Sequence, residues 1–199
     1  MLFRSKRAGI FLFPGIAQFA FFLVLAEIFY PGYDVSTNAI SDLGATCKNG
    51  ACIFVQPSSE IFNSSISLMG LLLICGSYYL WKGYGSKSLT FFVALSGVAT
   101  IGVGVFNESF GVVHSLFSLL TFVSIGVQGI LVFRVVKPPM SYFSAAAGVA
   151  TLVALVLFVS GTFLGLGLGG MERMIVYPVL LGGIGFGGYL LSASDTDFR

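Results

Sequence analysis

Six long apolar segments, separated by shorter polar ones, dominate the pattern of residues along this chain. They cover residues 8–30, 60–81, 88–106, 112–134, 141–166 and 171–193. Each can cross a hydrocarbon core about 30 Å thick, which needs about 20 helical residues. Backbone polar groups must be satisfied internally in lipid, and the segments lack the apolar–polar alternation of a membrane barrel strand. The pattern therefore predicts an all-α fold: a polytopic membrane protein built as a six-transmembrane-helix bundle.

The composition agrees with a membrane protein and limits the chemistry available to it. Of 199 residues, 56% are hydrophobic and only 9% are charged, which excludes a water-soluble domain of this length. Most connections between the segments are short, so consecutive helices are expected to be antiparallel neighbours. No internal repeat or second domain is apparent in the sequence, and we predict one transmembrane domain over residues 1–199.

The basic residues fall mostly on one side of the six predicted spans. If the N-terminus is cytoplasmic, eight of the ten lysines and arginines lie on the cytoplasmic side: Arg4, Lys6, Arg7, Lys82, Lys87, Arg134, Lys137 and Arg199. Lys48 and Arg173 lie on the other side. Because positively charged loops stay in the cytoplasm, this asymmetry predicts a multi-pass protein of the cell membrane. Both termini are then cytoplasmic, and the loop of residues 31–59 is extracytoplasmic.

The long outer loop contains Cys47 and Cys52, on either side of Asn49-Gly50. Asn-Gly strongly favours a two-residue type I′ hairpin turn, because both turn positions need a positive φ. This turn places Cys47 opposite Cys52 with Cα atoms about 4.5 Å apart, a separation that a disulfide tolerates. Half of a metal site is the competing interpretation, but no second cysteine pair or nearby histidine completes it. We therefore predict a disulfide-tied extracytoplasmic loop between helices 1 and 2.

Polar residues recur at helical spacing on three of the predicted spans. In span four, offsets of four, seven and fourteen residues place them on one narrow face. The three stripes are His114, Ser118, Thr121 and Gln128 in span four, Glu60, Asn63, Ser64 and Ser67 in span two, and Ser96, Thr100 and Asn107 in span three. Such residues either bond neighbouring helices together or line a functional site, and the sequence leaves both interpretations open.

Ionisable residues near the ends of these stripes define a candidate site. Glu60, Glu108 and His114 meet at the outer membrane boundary if spans two, three and four are neighbours. With Asp42 they form the catalytic set if the protein is an enzyme, since histidine titrates near neutral pH and carboxylates can orient it. The same three residues are weak candidates for metal binding. We predict no metal and no cofactor, because no metalloprotease motif occurs and one histidine cannot supply paired haem ligands.

The predicted site is a polar pocket that opens outward beneath the disulfide-tied loop. Its predicted polar lining consists of Asn63, Ser67, Asn107 and Ser118. Arg173 follows Glu172 at the outer interface and is a candidate contact for a lipid headgroup. Simple snorkelling of this long basic side chain is the alternative.

The outer loop also carries the run N-A-I-S-D-L-G at residues 38–44. Ser41 and Asp42 are good helix N-caps, and Gly44 permits a turn with positive φ. The segment from Asn38 to Gly44 is therefore expected to form a tight capped turn that lies on the helix ends. For Asp42, a structural cap and a pocket carboxylate remain alternatives.

This motif, the I-F-N start of span two at residues 61–63, and Asn107 followed by His114 carry a family resemblance. The chain resembles a six-span prokaryotic membrane protein family of unknown function with an I-S-D-L-G segment in the first outer loop. It is more remotely similar to damage-regulated autophagy modulators and to membrane proteins that remodel glycosylphosphatidylinositol anchors. The resemblance covers nearly the full chain and implies six helices, an outward-facing motif loop and lipid-related work. The cysteine hairpin departs from it.

Three functions fit these observations. The first is a non-catalytic integral membrane protein, either a lipid-interacting factor or an accessory subunit of a larger membrane complex. The second is an enzyme that modifies a lipid or isoprenoid headgroup with the histidine and carboxylates. A small transporter is third, since no inverted repeat is visible and no span carries charges deep within it. The expected partners are membrane lipids or other membrane subunits, and nucleic acid is not expected.

Overall fold

The computed structural model of the chain describes residues 2–48, 50–84 and 86–192. These ranges form six long helices: α1 (Leu2–Ile28), α2 (Ser58–Tyr84), α3 (Lys87–Val105), α4 (Val112–Val132), α5 (Met140–Val159) and α6 (Gly167–Ser192). All six are long and apolar enough to cross a membrane. The predicted all-α, six-helix membrane bundle is confirmed. The shorter elements are 3₁₀ turns at Ser41–Leu43 and Glu108–Phe110 and the hairpin strands β1 (Thr46–Lys48) and β2 (Ala51–Ile53).

The helices form a closed ring in chain order. Each helix packs against the next one, and α6 returns to pack against α1, while α4 and α6 also touch. The short connections produce this order because they leave no room for a helix to be skipped. The loop between α1 and α2, residues 29–57, covers one end of the ring, which we call the loop end.

The two helix boundaries beside the glycine-rich connection of residues 160–166 differ from the sequence prediction, and α1 begins at Leu2 rather than at residue 8. The fifth span was predicted to reach residue 166, but α5 ends at Val159 because the chain turns at Gly161 and Gly165, which have φ of +73° and +80°. The sixth span was predicted from residue 171, but α6 already begins at Gly167. A Cβ on Gly169 would overlap the carbonyl oxygen of Asn38, so this first turn packs directly on the loop backbone.

The cysteine hairpin forms as predicted. Strands β1 and β2 are antiparallel, with Cys47 opposite Cys52, and the two cysteines form a disulfide with Cα atoms 4.1 Å apart. Gly50 lies in the turn with φ of +80°, a left-handed backbone conformation that residues with a side chain rarely adopt. Asn49, the other predicted turn residue, lies outside the described residues. The disulfide therefore closes a short hairpin within the loop, between residues five positions apart.

Glycines allow a close helix contact between α2 and α3. A Cβ on Gly97 would lie 2.7 Å from the carbonyl oxygen of Gly70, and a Cβ on Gly70 would lie 2.5 Å from that of Gly97. Small residues at such crossings let two backbones approach and make van der Waals contact in a membrane. A methyl group at either position requires the two helices to separate.

The substitution Gly97→Ala is expected to lower the thermal unfolding midpoint of the detergent-solubilised protein, because the new methyl meets backbone that cannot move aside. The loss should be about 1–3 kcal/mol. Gly188→Ala is the matched control, since its Cβ would lie 3.9 Å from the Phe13 ring, and alanine favours a helix over glycine. Equal midpoints for the two variants would contradict the close contact.

Candidate functional site

A cavity of about 70 Å³ lies inside the ring beneath the loop end. One water needs roughly 10–15 Å³ of such space, so the cavity has room for several waters or for part of a slender molecule. Its apolar wall comes from five helices and the loop: Ile16, Phe19, Ile40, Phe62, Ile66, Met69, Leu73, Val103, Phe122, Ile125, Val176, Val179 and Leu180. Its polar lining is Ser41, Thr100, Ser118, Thr121, Gln128 and Glu172.

Two threonine hydroxyls in the cavity wall are buried without a hydrogen bond. Thr100 is 0% exposed and Thr121 is 7% exposed, and neither Oγ1 atom has a partner among the described residues. A buried hydroxyl without a partner costs free energy, most often about 1–3 kcal/mol. These two hydroxyls therefore favour a polar group inside the cavity. Both belong to the stripes that the sequence places on spans three and four.

A second, smaller cavity of about 30 Å³ continues the first one away from the loop end. Gln128 lines both cavities, and Ser96 Oγ donates to its Oε1 at 3.3 Å. Ser144 lines the second cavity with a buried hydroxyl that has no partner in the described part of the chain. The two cavities share Gln128 in their linings and form one interrupted internal column.

The roof of the first cavity is the cap turn, which we define as residues 38–44. Asp42 closes it: Oδ2 accepts from Asn38 Nδ2 at 2.7 Å and from the Ala39 backbone N–H at 3.2 Å. Asp42 is thus a structural cap that reaches back along the chain, one of its two predicted roles. It does not line the cavity. The 3₁₀ turn has Ile40 at its N-cap position, so the predicted N-cap role of Ser41 is wrong.

Gly44 is needed for space rather than for a positive φ. Its φ is −80°, which corrects the predicted positive-φ turn. A Cβ at this position would lie 2.5 Å from Asn63 Oδ1 and 3.1 Å from the Phe62 ring. Asn63 Nδ2 donates to the Gly44 carbonyl at 3.1 Å. Asn63 therefore attaches the cap turn to α2 and is not part of the cavity lining.

Glu172 connects the cap turn to the cavity. This residue is only 6% exposed, and its Oε2 accepts from the Ile40 backbone N–H at 2.5 Å. It lines the cavity directly below the cap turn. The sequence places Glu172 at the outer interface, and no role was predicted for it. The available signal was a charge inside an apolar segment, which by default indicates function.

Arg173, the next residue, points to a different part of the molecule. Its guanidinium pairs with Glu27 of α1 at 2.6 Å and donates to Tyr33 Oη at 2.8 Å. It also donates to three backbone carbonyls, those of Val35, Asn38 and Gly169. Arg173 is 6% exposed, so the prediction that it contacts a lipid headgroup is wrong. The reason is that the loop folds back over it and supplies the partners that a headgroup would supply.

Glu108 lies on the other side of the cap turn. Ser41 Oγ donates to its Oε1 at 2.6 Å. Burial raises the pKa of Glu108; the Ser41 hydrogen bond opposes this rise, and the Asp42 carboxylate adds to it. Asp42, Glu108 and Glu172 interact electrostatically, and we call these three residues the carboxylate cluster.

The predicted combination of Glu60, Glu108 and His114 is not assembled. His114 Nδ1 donates to the Phe106 carbonyl at 2.8 Å, and Ser118 Oγ lies 3.2 Å from Nε2, so the ring bonds the end of α3 and a residue of its own helix. Glu60 is exposed at the start of α2. Across the described residues, no group of three or more His, Cys, Asp and Glu side chains is placed to hold a metal ion.

The four predicted pocket residues have different positions. Ser118 lines the cavity. Ser67 Oγ donates to the Asn63 carbonyl within α2, at 2.7 Å. Asn107 caps the 3₁₀ turn at Glu108–Phe110, where its side chain accepts from the Ser109 N–H at 3.2 Å. Helical spacing identified the polar faces but could not show which of them surround a common space.

Replacing Arg173 with methionine is expected to destabilise the protein by about 3–5 kcal/mol, because the mostly buried Glu27 carboxylate loses its partner. Thermal unfolding in detergent measures the effect. Adding Glu27→Gln should recover part of the loss by removing the unpaired charge. Arg134→Met is the control, since Arg134 is exposed. Similar midpoints for Arg173→Met and Arg134→Met would refute the structural role of the ion pair.

The raised pKa of Glu108 predicts a pH dependence of stability. The folded state holds this proton more tightly than the unfolded state, so the stabilisation is complete below the ordinary pKa of 4.5 and is lost as pH rises through the folded pKa. Glu108→Gln, which keeps the acceptor for Ser41, should therefore unfold at a higher temperature than the parent at pH 8, and this advantage should shrink toward pH 4. Glu60→Gln, at an exposed carboxylate, should follow the parent. An advantage that is constant with pH would argue against a perturbed Glu108.

Comparison with known proteins gives one assignment. A family model, described as a protein of unknown function (DUF998), matches residues 14–187. No curated protein and no solved structure matches the chain. The family match agrees with the predicted resemblance to a family of unknown function, whereas the motif and the remoter eukaryotic similarities stay predictions. Since the match covers most of its length, the chain belongs to the DUF998 family.

Proposed function

We propose that this protein is a non-catalytic, lipid-interacting protein of the cell membrane, and that its central cavity holds the apolar chain of an amphiphile. The observation that carries the proposal is the cavity itself, which is apolar over most of its wall and polar under the cap turn. Protein interiors are normally packed to the density of organic crystals. With about 70 Å³ in the first cavity and about 30 Å³ in the second, the column has room for part of a hydrocarbon chain.

The distribution of polar groups supports an amphiphile rather than a fully apolar ligand. Glu172 and Ser41 lie at the roof, where a headgroup would be, while Phe19, Phe62 and Leu73 line the wall below. Beyond Gln128, the second cavity offers further apolar space for the chain. The carboxylate of the lining lies at the roof and most of the wall below it is apolar, which is the order of the parts of a lipid.

The basic residues give the orientation that we propose for this site. Lys82, Lys87, Arg134 and Lys137 lie at the end opposite the cap turn, which the positive-inside rule places in the cytoplasm. The cap turn and the disulfide hairpin are then extracytoplasmic, and the headgroup lies near the outer leaflet. This location also suits the disulfide, since oxidising compartments preserve such bonds.

An enzyme would need His114 beside a carboxylate, whereas a lipid-binding protein would not. Catalysis by a histidine and a carboxylate needs the two groups within hydrogen-bonding reach, directly or through one water. His114 instead bonds the Phe106 carbonyl and Ser118, and Glu108 bonds Ser41. These contacts favour a structural role for His114 and a binding role for the cavity.

Filling the cavity should prevent lipid from binding. Thr121→Phe places a large ring in the cavity, whereas Leu119→Phe changes a residue of the same helix that is exposed on the outer face. After mild-detergent purification, lipid bound per protein should fall at least several-fold for Thr121→Phe and stay at the parent level for Leu119→Phe. Native mass spectrometry measures both. If Thr121→Phe does not fold, Ser118→Leu in the same wall replaces it.

The same preparations test the accessory-subunit alternative. A monodisperse particle that retains lipid, and loses it when the cavity is filled, supports the proposal. Lipid retention that is equal in the parent and in Thr121→Phe overturns it. Co-purification of stoichiometric membrane subunits without any cavity-dependent lipid also overturns it, in favour of a subunit role.

A further inference from the structure

We infer that the headgroup subsite under the cap turn selects a cationic amine and rejects a phosphate. This inference rests on the proposed function, because it names the chemical class of the amphiphile that the cavity holds. Three carboxyl groups lie around the roof of the cavity. Glu172 lines that roof, and Glu108 and Asp42 lie around Ser41 beside it.

The nearby cation is already paired with another carboxylate. Arg173 is bound to Glu27, Tyr33 and three backbone carbonyls, so its one positive charge is balanced by Glu27. Consecutive helical residues differ by about 100° in direction, so Glu172 and Arg173 face different surroundings. Lys48 of the hairpin is exposed. Among the described residues, the subsite is therefore surrounded by more carboxyl groups than cations.

Hydrogen bonding points the same way. Glu172 uses Oε2 for the Ile40 N–H, and the described residues supply no hydrogen bond to its Oε1. A carboxylate accepts hydrogen bonds only, so its natural partner is a donor, and a primary ammonium offers three N–H groups. A phosphate brings acceptors and further negative charge, which like charges in the cluster repel.

An independent observation shows that this space needs a polar ligand. Thr100 and Thr121 line the same cavity, at least nine-tenths buried, with hydroxyls that no described residue bonds. A hydroxyl can donate or accept, so these two groups can bind a polar atom on the chain near the headgroup or an ordered water beside it. The Glu172 carboxylate at the roof then favours a ligand whose headgroup carries a positive charge.

The test uses three probes with the same chain: dodecylamine, dodecanol and dodecyl phosphate. The full-length protein in phosphatidylcholine nanodiscs is titrated at pH 7, where the amine is protonated, and native mass spectrometry counts bound probe. The amine should bind about tenfold more tightly than the alcohol, the difference between a charge-assisted and a neutral hydrogen bond. The phosphate should bind most weakly.

Variants separate the headgroup effect from the chain effect. Glu172→Gln, which keeps an oxygen for the Ile40 N–H, should remove the preference for the amine and leave the affinity for dodecanol unchanged. Glu60→Gln removes an exposed carboxylate at the same end and should keep the preference. If Glu172→Gln does not fold, Ser41→Ala removes the other polar roof residue and the link to Glu108 and should weaken the preference.

Each outcome decides between the two proposals. Equal binding of all three probes, or tightest binding of the phosphate, overturns the amine inference while the lipid-binding proposal stands, provided that Thr121→Phe abolishes binding. A preference for the amine that persists in Glu172→Gln also overturns the inference. Binding of no probe, or binding that is insensitive to Thr121→Phe, overturns the lipid-binding proposal itself.

Discussion

A buried guanidinium joins three parts of the molecule at the loop end. Arg173 extends from the first turns of α6 to Glu27 near the end of α1, and it binds carbonyls of the loop between α1 and α2. Transfer of a charge from water into a protein is costly unless a counter-charge and hydrogen bonds replace the water. The loop supplies these bonds only in one arrangement, so the guanidinium determines where the loop lies. Tyr33 takes part as both acceptor and donor: it accepts from Arg173 and donates to the Ala39 carbonyl, and burial raises its pKa so that it stays neutral.

The position of the loop then determines the cavity. Arg173 holds residues 35–38, and the cap turn that follows lies across the ring. There Glu172 accepts a hydrogen bond from the Ile40 N–H, and Glu108 accepts one from the Ser41 hydroxyl. Two adjacent residues of one helix thus have separate tasks, since one holds the loop and the other faces the space beneath it. The cap turn is closed by its own Asp42, which makes it a preformed roof rather than a loose connection.

The interior of the bundle combines helix packing with a space that packing does not fill. Gly70 and Gly97 bring α2 and α3 into backbone contact, yet Thr100, one turn beyond Gly97 at i+3, faces the cavity with an unbonded hydroxyl among the described residues. In lipid such a hydroxyl would have no partner, so it turns inward. An apolar column with a negatively charged roof is the physical basis of both proposals made above.

Local and periodic features of the fold are readable from the sequence alone. The six helices follow from hydrophobic length, the pairing of Cys47 with Cys52 follows from the turn between them, and the inward stripe of Ser118, Thr121 and Gln128 follows from helical spacing. Each of these features depends on residues within one helix or one hairpin. There the geometry of the chain leaves few conformations and few pairings of side chains. The roles of Arg173, Glu172 and Glu108, by contrast, depend on partners that are distant in the sequence.

Arg173 binds a residue 146 positions away, Glu172 one 132 positions away, and Glu108 one 67 positions away. No period or motif relates such pairs, because their contact exists only after the ring has closed and the loop has folded onto it. The sequence by itself determined the membrane helices, the disulfide and the polar faces. Only the tertiary structure decided which charges are buried together and which residues surround the cavity, since burial and pairing of charges are properties of the assembled bundle.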